Sequence, residues 1–169
     1  MIEMKVNGDS SEIVHYDIPG LPVKILREKL SDYPGMRAIC HWHDDIEMIY
    51  ILSGRMHYEI NGRTVLLTEE SVLFVNARQL HYGFSVEREE CLFICVLFHP
   101  SLLNVTEKLY HSQVLPVTRS DALEYLLFEP EAAGSRRIAS CLRSLSGIRD
   151  NDAAGVQWKI AGCIYDIWG

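Results

Sequence analysis

Gly35-Met-Arg-Ala-Ile-Cys-His41-Trp-His43-Asp-Asp-Ile-Glu47-Met-Ile-Tyr-Ile-Leu-Ser-Gly54 is the stretch on which the reading of the whole chain turns. His41 and His43 lie two apart, so on an extended strand both imidazoles leave the same face. Glu47 follows four residues later, and Gly54 closes the segment at a position that calls for a turn. Imidazoles and a carboxylate converging from one face suit a divalent metal or a polar ligand.

The spacing Gly35, His41, His43, Glu47, Gly54 resembles the first cupin motif at every fixed position. The second cupin motif, laid on Glu70 to Ser85, places its histidine on His81 but finds Glu70, Asn76, Arg78 and Ser85 where Gly, Pro, Gly and Asn are expected. The resemblance therefore implies a metal-capable set of His41, His43, Glu47 and His81 among altered turns. The fold it implies is mainly β: a cupin-like double-stranded β-helix (jelly-roll) barrel followed by a C-terminal α-helical hairpin.

Alternation of apolar and polar residues agrees. Segments 12–18, 23–30, 36–42, 46–52, 56–60, 64–68, 72–75, 82–86 and 90–98 read as short strands, with Ser53-Gly54 a turn and Asn61-Gly62 a hairpin signal. Many short strands with frequent turns indicate a sandwich or barrel. After His99-Pro100 the pattern changes: a helical turn or two over 102–110, a short extended piece over 114–118, then helical spacing of Ile138, Cys141, Leu142, Leu145 and Ile148 and of Val156, Ile160, Cys163, Ile164, Ile167 and Trp168. Arg149 to Asp152 breaks the two helices, with Asn151 or Asp152 a cap for the second. The expected organisation is a flexible arm over 1–12, a barrel over 13–118 and a helical dimerisation segment over 119–169. The last helix is still running at Trp168, so the chain reads as cut. Its apolar stripe can be buried on the barrel or on a second subunit; self-association through 135–149 and 153–168, involving Ile160 and Ile164, is the expectation.

Composition narrows the function classes. The 169 residues carry 48% hydrophobic and 23% charged side chains and a net charge of −7, unsuited to gripping nucleic-acid phosphates. The N-terminus has no apolar core of a signal peptide, and the longest apolar run, Leu92 to Phe98, is too short for a bilayer, which implies a cytoplasmic protein without membrane contact. The five cysteines are odd in number with no Cys-x-x-Cys; Cys91 and Cys95 on one strand would lie roughly 13 Å apart, so reduced thiols are expected. No Gly-x-Ser-x-Gly elbow, Walker loop or Rossmann fingerprint occurs. Trp42, Tyr58 and Tyr82, on or beside the candidate strands, are further ligand-binding candidates, able to stack on a sugar or another planar molecule; plain core packing is the competing explanation.

Residues 35–103, through His41 to Gly54 and Asn76-Ala-Arg-Gln-Leu-His81, resemble the effector-binding domain of AraC-type transcription regulators. That resemblance implies a non-enzymatic segment that senses a small-molecule effector and forms a homodimer, with DNA read by helix-turn-helix motifs absent from this chain. A metal-dependent cupin enzyme, a dioxygenase or isomerase, is the alternative, and an inert barrel serving only dimerisation the third.

Overall fold

The computed structural model describes residues 5–148 and 154–169. The expected break and cap at Arg149 to Asp152 lie outside the described residues. The chain runs β1 (Val23–Lys29), β2 (Ile46–Ile60), β3 (Arg63–Thr68), β4 (Val72–Val75), β5 (His81–Phe84), β6 (Cys91–Phe98), short helical turns α1 (Glu107–Leu109) and α2 (Leu115–Thr118), β7 (Tyr125–Phe128), and helices α3 (Ser135–Ile148) and α4 (Val156–Trp168). All strand pairs are antiparallel. The result is a cupin-like β-sandwich with two C-terminal helices that contact each other, as the spacing predicts.

One strand belongs to both layers. The first part of β2 lies between β6 and β4 in the order β1-β6-β2-β4-β7, and its last residues lie between β3 and β5. Sequence reading predicts a turn at Ser53-Gly54, but the strand bends there instead of reversing, and its register against β6 shifts between Ile51 and Ser53. Before the shift Glu47, Ile49 and Ile51 face inward; after it Met56, Tyr58 and Ile60 do. A bulge exchanges odd for even positions, which an unbroken period of two cannot do.

The larger sheet is buried on both faces. Ile25, Met48, Tyr50, Phe74, Val96 and Phe98 pack toward the helices, while Ile49, Leu73, Phe93, Cys95 and Leu97 face the interior. This accounts for the continuous apolar run of β6. Leu142, Leu145, Ile160 and Ile164 are fully buried within this chain, in one cluster with residues of the larger sheet. Ile160 and Ile164, expected at a subunit contact, therefore serve intramolecular packing.

Three further expectations change. Residues 12–18 and 36–42 are not strands: isolated bridges involve only Glu12 in the first and Arg37, His41 and Trp42 in the second. Residues 115–118 are helical, with Pro116 tolerated in the first turn. Strand β7, inside the stretch read as helical, pairs with β4 and extends the sheet beyond residue 118. The described part of the expected arm is held against the barrel: Ser11 bridges Trp42, and Glu12 N donates to the Trp42 carbonyl at 2.8 Å.

The altered second motif keeps its backbone shape. Glu70 (φ 66°) and Arg78 (φ 65°) adopt the left-handed conformation where glycine is expected. At Gly54 (φ +79°) a β-carbon would lie 2.1 Å from the Glu90 carbonyl oxygen. Gly54→Ala is therefore expected to cost about 2–4 kcal/mol, because the bend cannot relax without separating β2 from β6; urea denaturation measures it, and a loss under 0.5 kcal/mol would contradict the assigned role of the bend.

Candidate functional site

His41 and His81 are an antiparallel pair: His41 N donates to the His81 carbonyl at 3.1 Å and His81 N to that of His41 at 2.8 Å. Direct opposition puts their rings on one face, with centroids 4.4 Å apart. His43, two residues on, presents its ring 4.9 Å from His81. Glu47 reaches the same point from β2, and one ligating atom from each of the four residues falls within 4.8 Å of the others. All four are buried.

The rings are fixed by their backbone neighbours. Each Nδ1 donates to a carbonyl two residues away: His41 to Ile39 (2.8 Å), His43 to Asp45 (3.0 Å) and His81 to Gln79 (2.7 Å). A carbonyl only accepts, so every Nδ1 carries hydrogen and every Nε2 is left for the site. Nε2 of His43 and of His81 each lie 3.5 Å from Glu47 Oε2 without a hydrogen-bond partner. Ligands about 2.1 Å from a tetrahedral ion stand roughly 3.4 Å apart, so these separations fit a divalent cation.

Charge supports the same fit. Burial alone would raise the pKa of Glu47, but His81 and His43 hold it well below the carboxylate range. His41 is pushed down to about 3 by burial and then by His81, so its ring is neutral. Burial also opposes charge on His43, yet the Glu47 carboxylate overrides it and raises that pKa. The set thus offers an ionised carboxylate, a neutral imidazole and a proton on His43 that a cation would displace.

A cavity of about 290 Å³ adjoins the cluster inside the barrel, lined in part by His41, Glu47, Tyr58, Ile49, Met56 and Phe93. Tyr58 belongs there: its hydroxyl donates to Glu47 Oε1. Trp42 and Tyr82 do not. Alternation turns both outward, where the Trp42 indole donates to the Asp9 carbonyl and the Tyr82 hydroxyl to Glu59 beneath the Arg37 guanidinium. Sequence reading misses Glu12, whose Oε2 lies 3.6 Å from His41 Nε2, and the pair of Glu28 with Tyr33. Glu28 is detectable in principle, since Lys24, Leu26 and Glu28 alternate on one face of β1; Glu12 and Tyr33 carry no local signal.

Residues 30–156 match the AraC-like ligand binding domain family. The chain is 25% identical over 141 residues to the uncharacterized HTH-type transcriptional regulator YdeC of Bacillus subtilis (strain 168), covering 83% of this chain and 48% of that protein. It thus spans about half the length of the curated relative it matches. Among solved structures, ToxT from Vibrio cholerae O395 is similar with a TM-score of 0.52 at 14% identity, over 85% of this chain and 52% of that one. A second ToxT structure from Vibrio cholerae gives 0.55 at 12% identity, over 85% and 54%. At these identities the likeness is one of fold.

In metal-free protein, stability is expected to peak near the ordinary histidine pKa of 6.5. Below it the unfolded chain protonates His41 while the folded one does not, and below 4.5 Glu47 adds the same effect, so stability falls with acidification. Above 6.5 the folded chain keeps the His43 proton longer than the unfolded one, so that contribution is lost as pH rises through the raised pKa. Each group contributes a slope of at most about 1.4 kcal/mol per pH unit. Urea denaturation between pH 4 and 9 checks this: H41Q should flatten the acid limb and H43Q the alkaline one.

Proposed function

The chain belongs to the AraC-like ligand-binding domain family, and on that premise we propose that its barrel cavity receives a small-molecule effector beside a divalent cation held by His41, His43, Glu47 and His81. The observation that carries this reading is a cavity lined by His41 and Glu47, two members of the four-residue cluster whose other two, His43 and His81, keep buried Nε2 atoms without a hydrogen-bond partner. A bound cation would supply a fixed positive charge against which an effector's polar end is oriented. Tyr58, through Glu47, sets the position of that carboxylate.

Of the aromatic platforms on which a sugar could stack, Tyr58 lines the cavity, whereas Trp42 and Tyr82 lie outside it. The effector acts within a transcription regulator that contacts DNA through a part other than these 169 residues: the match covers only 48% of the curated relative, an HTH-type regulator, and this chain's net charge is −7. Among the described residues no helix is long and apolar enough to cross a membrane. Homodimerisation is assigned to the outward face of α4, where Trp158 is 83% and Tyr165 41% exposed, and not to the buried Ile160 and Ile164.

The same four ligands with a cavity alongside also suit the alternative, a metal-dependent enzyme. Chelator-stripped protein titrated with Mn(II) or Zn(II) separates the readings. One ion per chain is expected, with E47Q weakening uptake at least about 100-fold and no oxygen consumption by iron-loaded protein. Turnover of a small substrate would favour the enzyme. Absence of both ion uptake and any ligand-dependent rise in Tm would leave only a dimerisation module. For the dimer, W158D is expected to yield a folded monomer in sedimentation velocity, whereas I160D should unfold the protein.

A further inference from the structure

Glu12 reaches the four-residue cluster by way of the main chain. Its N donates to the Trp42 carbonyl at 2.8 Å, and Trp42 N donates to the Ser10 carbonyl at 3.0 Å. Residue 42 separates His41 from His43, so the backbone that carries both imidazoles also fixes where the Glu12 side chain starts. The N-terminal segment walls the cavity with Lys5, Glu12, Ile13 and His15. Lys5 and His15 are exposed, whereas the Glu12 side chain is only 6% exposed.

The two oxygens of that buried carboxylate have different neighbours. Oε1 lies 3.3 Å from Lys24 Nζ on β1. Oε2 lies 3.6 Å from His41 Nε2. Because His41 Nδ1 donates to the Ile39 carbonyl, Nε2 of the neutral ring carries the lone pair. Two acceptors then face each other with no hydrogen between them, an arrangement that a cation bound to both relieves. The same opposition occurs across the cluster, where Nε2 of His43 and of His81 each stand 3.5 Å from Glu47 Oε2. Glu12 thus stands to His41 as Glu47 stands to the other two histidines.

Glu12 is not one of the four residues whose ligating atoms all fall within 4.8 Å of one another. It stands outside that group, on the His41 side. A tetrahedral ion such as Zn(II) is complete with four ligands, whereas Mn(II) takes more of them and favours oxygen. We propose that Glu12 is a fifth protein ligand of the divalent cation, its Oε2 joining His41, His43, Glu47 and His81 around ions that take more than four ligands, while Lys24 holds Oε1. This assignment rests on the cation reading above and adds to it a residue outside the motif. The approach of Oε2 uses the rotatable bonds of the glutamate side chain and leaves the backbone pairing with Trp42 in place. A second carboxylate narrows the gap in affinity between Mn(II) and Zn(II), since Zn(II) gains little from a further ligand.

Calorimetric titration of chelator-stripped protein with Mn(II), and separately with Zn(II), tests this. E12Q is expected to weaken Mn(II) about tenfold and Zn(II) less than about twofold, because four ligands still close a tetrahedron. K24M removes the ion pair but keeps the carboxylate, and should not weaken Mn(II). A structural or long-range electrostatic role for Glu12 gives another pattern: equal losses for both ions in E12Q, or a loss in K24M as large as that in E12Q. Either result overturns the assignment and leaves the four-ligand site standing, as does unchanged Mn(II) affinity in E12Q. Retained Zn(II) uptake reports that E12Q is folded. If E12Q does not fold, E12D, which keeps the charge and draws the carboxylate back by one methylene, must show the same selective loss of Mn(II), and its absence overturns the proposal. Uptake of neither ion by the unmodified protein removes the cation reading and this ligand with it.

Discussion

The register shift in β2 at Ser53–Gly54 is the constraint on which the remaining geometry depends. A single strand supplies Glu47 to one layer and Tyr58 to the other, eleven residues apart, and an odd separation on a regular strand would send them to opposite faces. The bulge restores them to the same interior, where the Tyr58 hydroxyl donates to Glu47. Gly54 permits this because the Glu90 carbonyl occupies the space a side chain would need. The cavity, the buried carboxylate and the closing of the sandwich all follow from that bend.

Burying Glu47 among three imidazoles sets the electrostatic character of the interior. A wholly desolvated carboxylate is stable only beside a positive partner. The protein supplies one incompletely, through a proton on His43 that competes with burial, and leaves two Nε2 atoms without partners. The three Nδ1 positions are tied to main-chain carbonyls and so cannot turn to relieve the deficit. This is a rigid donor set around an ionised, buried carboxylate, with two imidazole nitrogens left without a hydrogen-bond partner.

Much of this was legible before the fold was known, and the reasons differ by residue. His41, His43, Glu47 and His81 were readable because period-two alternation and motif spacing are local. Trp42 and Tyr82 were misjudged by the same rule: each neighbours an inward histidine, and adjacency on a strand means the opposite face. The motif's missing glycines suggested lost turns, yet Glu70 and Arg78 hold the left-handed conformation regardless, at the strain a β-carbon brings there. Asn76, standing where proline was expected, donates to the Val117 and Leu123 carbonyls and ties the helical turns to the barrel. Strand β7 and the approach of Glu12 and Tyr33 depend on pairing across long separations, for which no nearby pattern exists. The helical stripes were correctly periodic, but period does not say which surface they cover.

Because β2 is covered on both sides, its neighbouring residues answer to different surroundings. Glu47 and Ile49 line the cavity and Ile51 packs in the same interior, while Met48 and Tyr50 lie under the helices, where Arg143 of α3 donates to the Tyr50 hydroxyl at 2.5 Å. The strand is thus written in two interleaved texts. Point substitutions at its odd positions can retune what the cavity accepts without disturbing the seat of α3, and those at its even positions can do the reverse. A one-residue insertion or deletion before the bend would exchange the two, placing Glu47's carboxylate under hydrophobic helices and a tyrosine in the cavity. Descent of such a barrel toward new ligands is therefore open to substitution along this strand and closed to changes in its length.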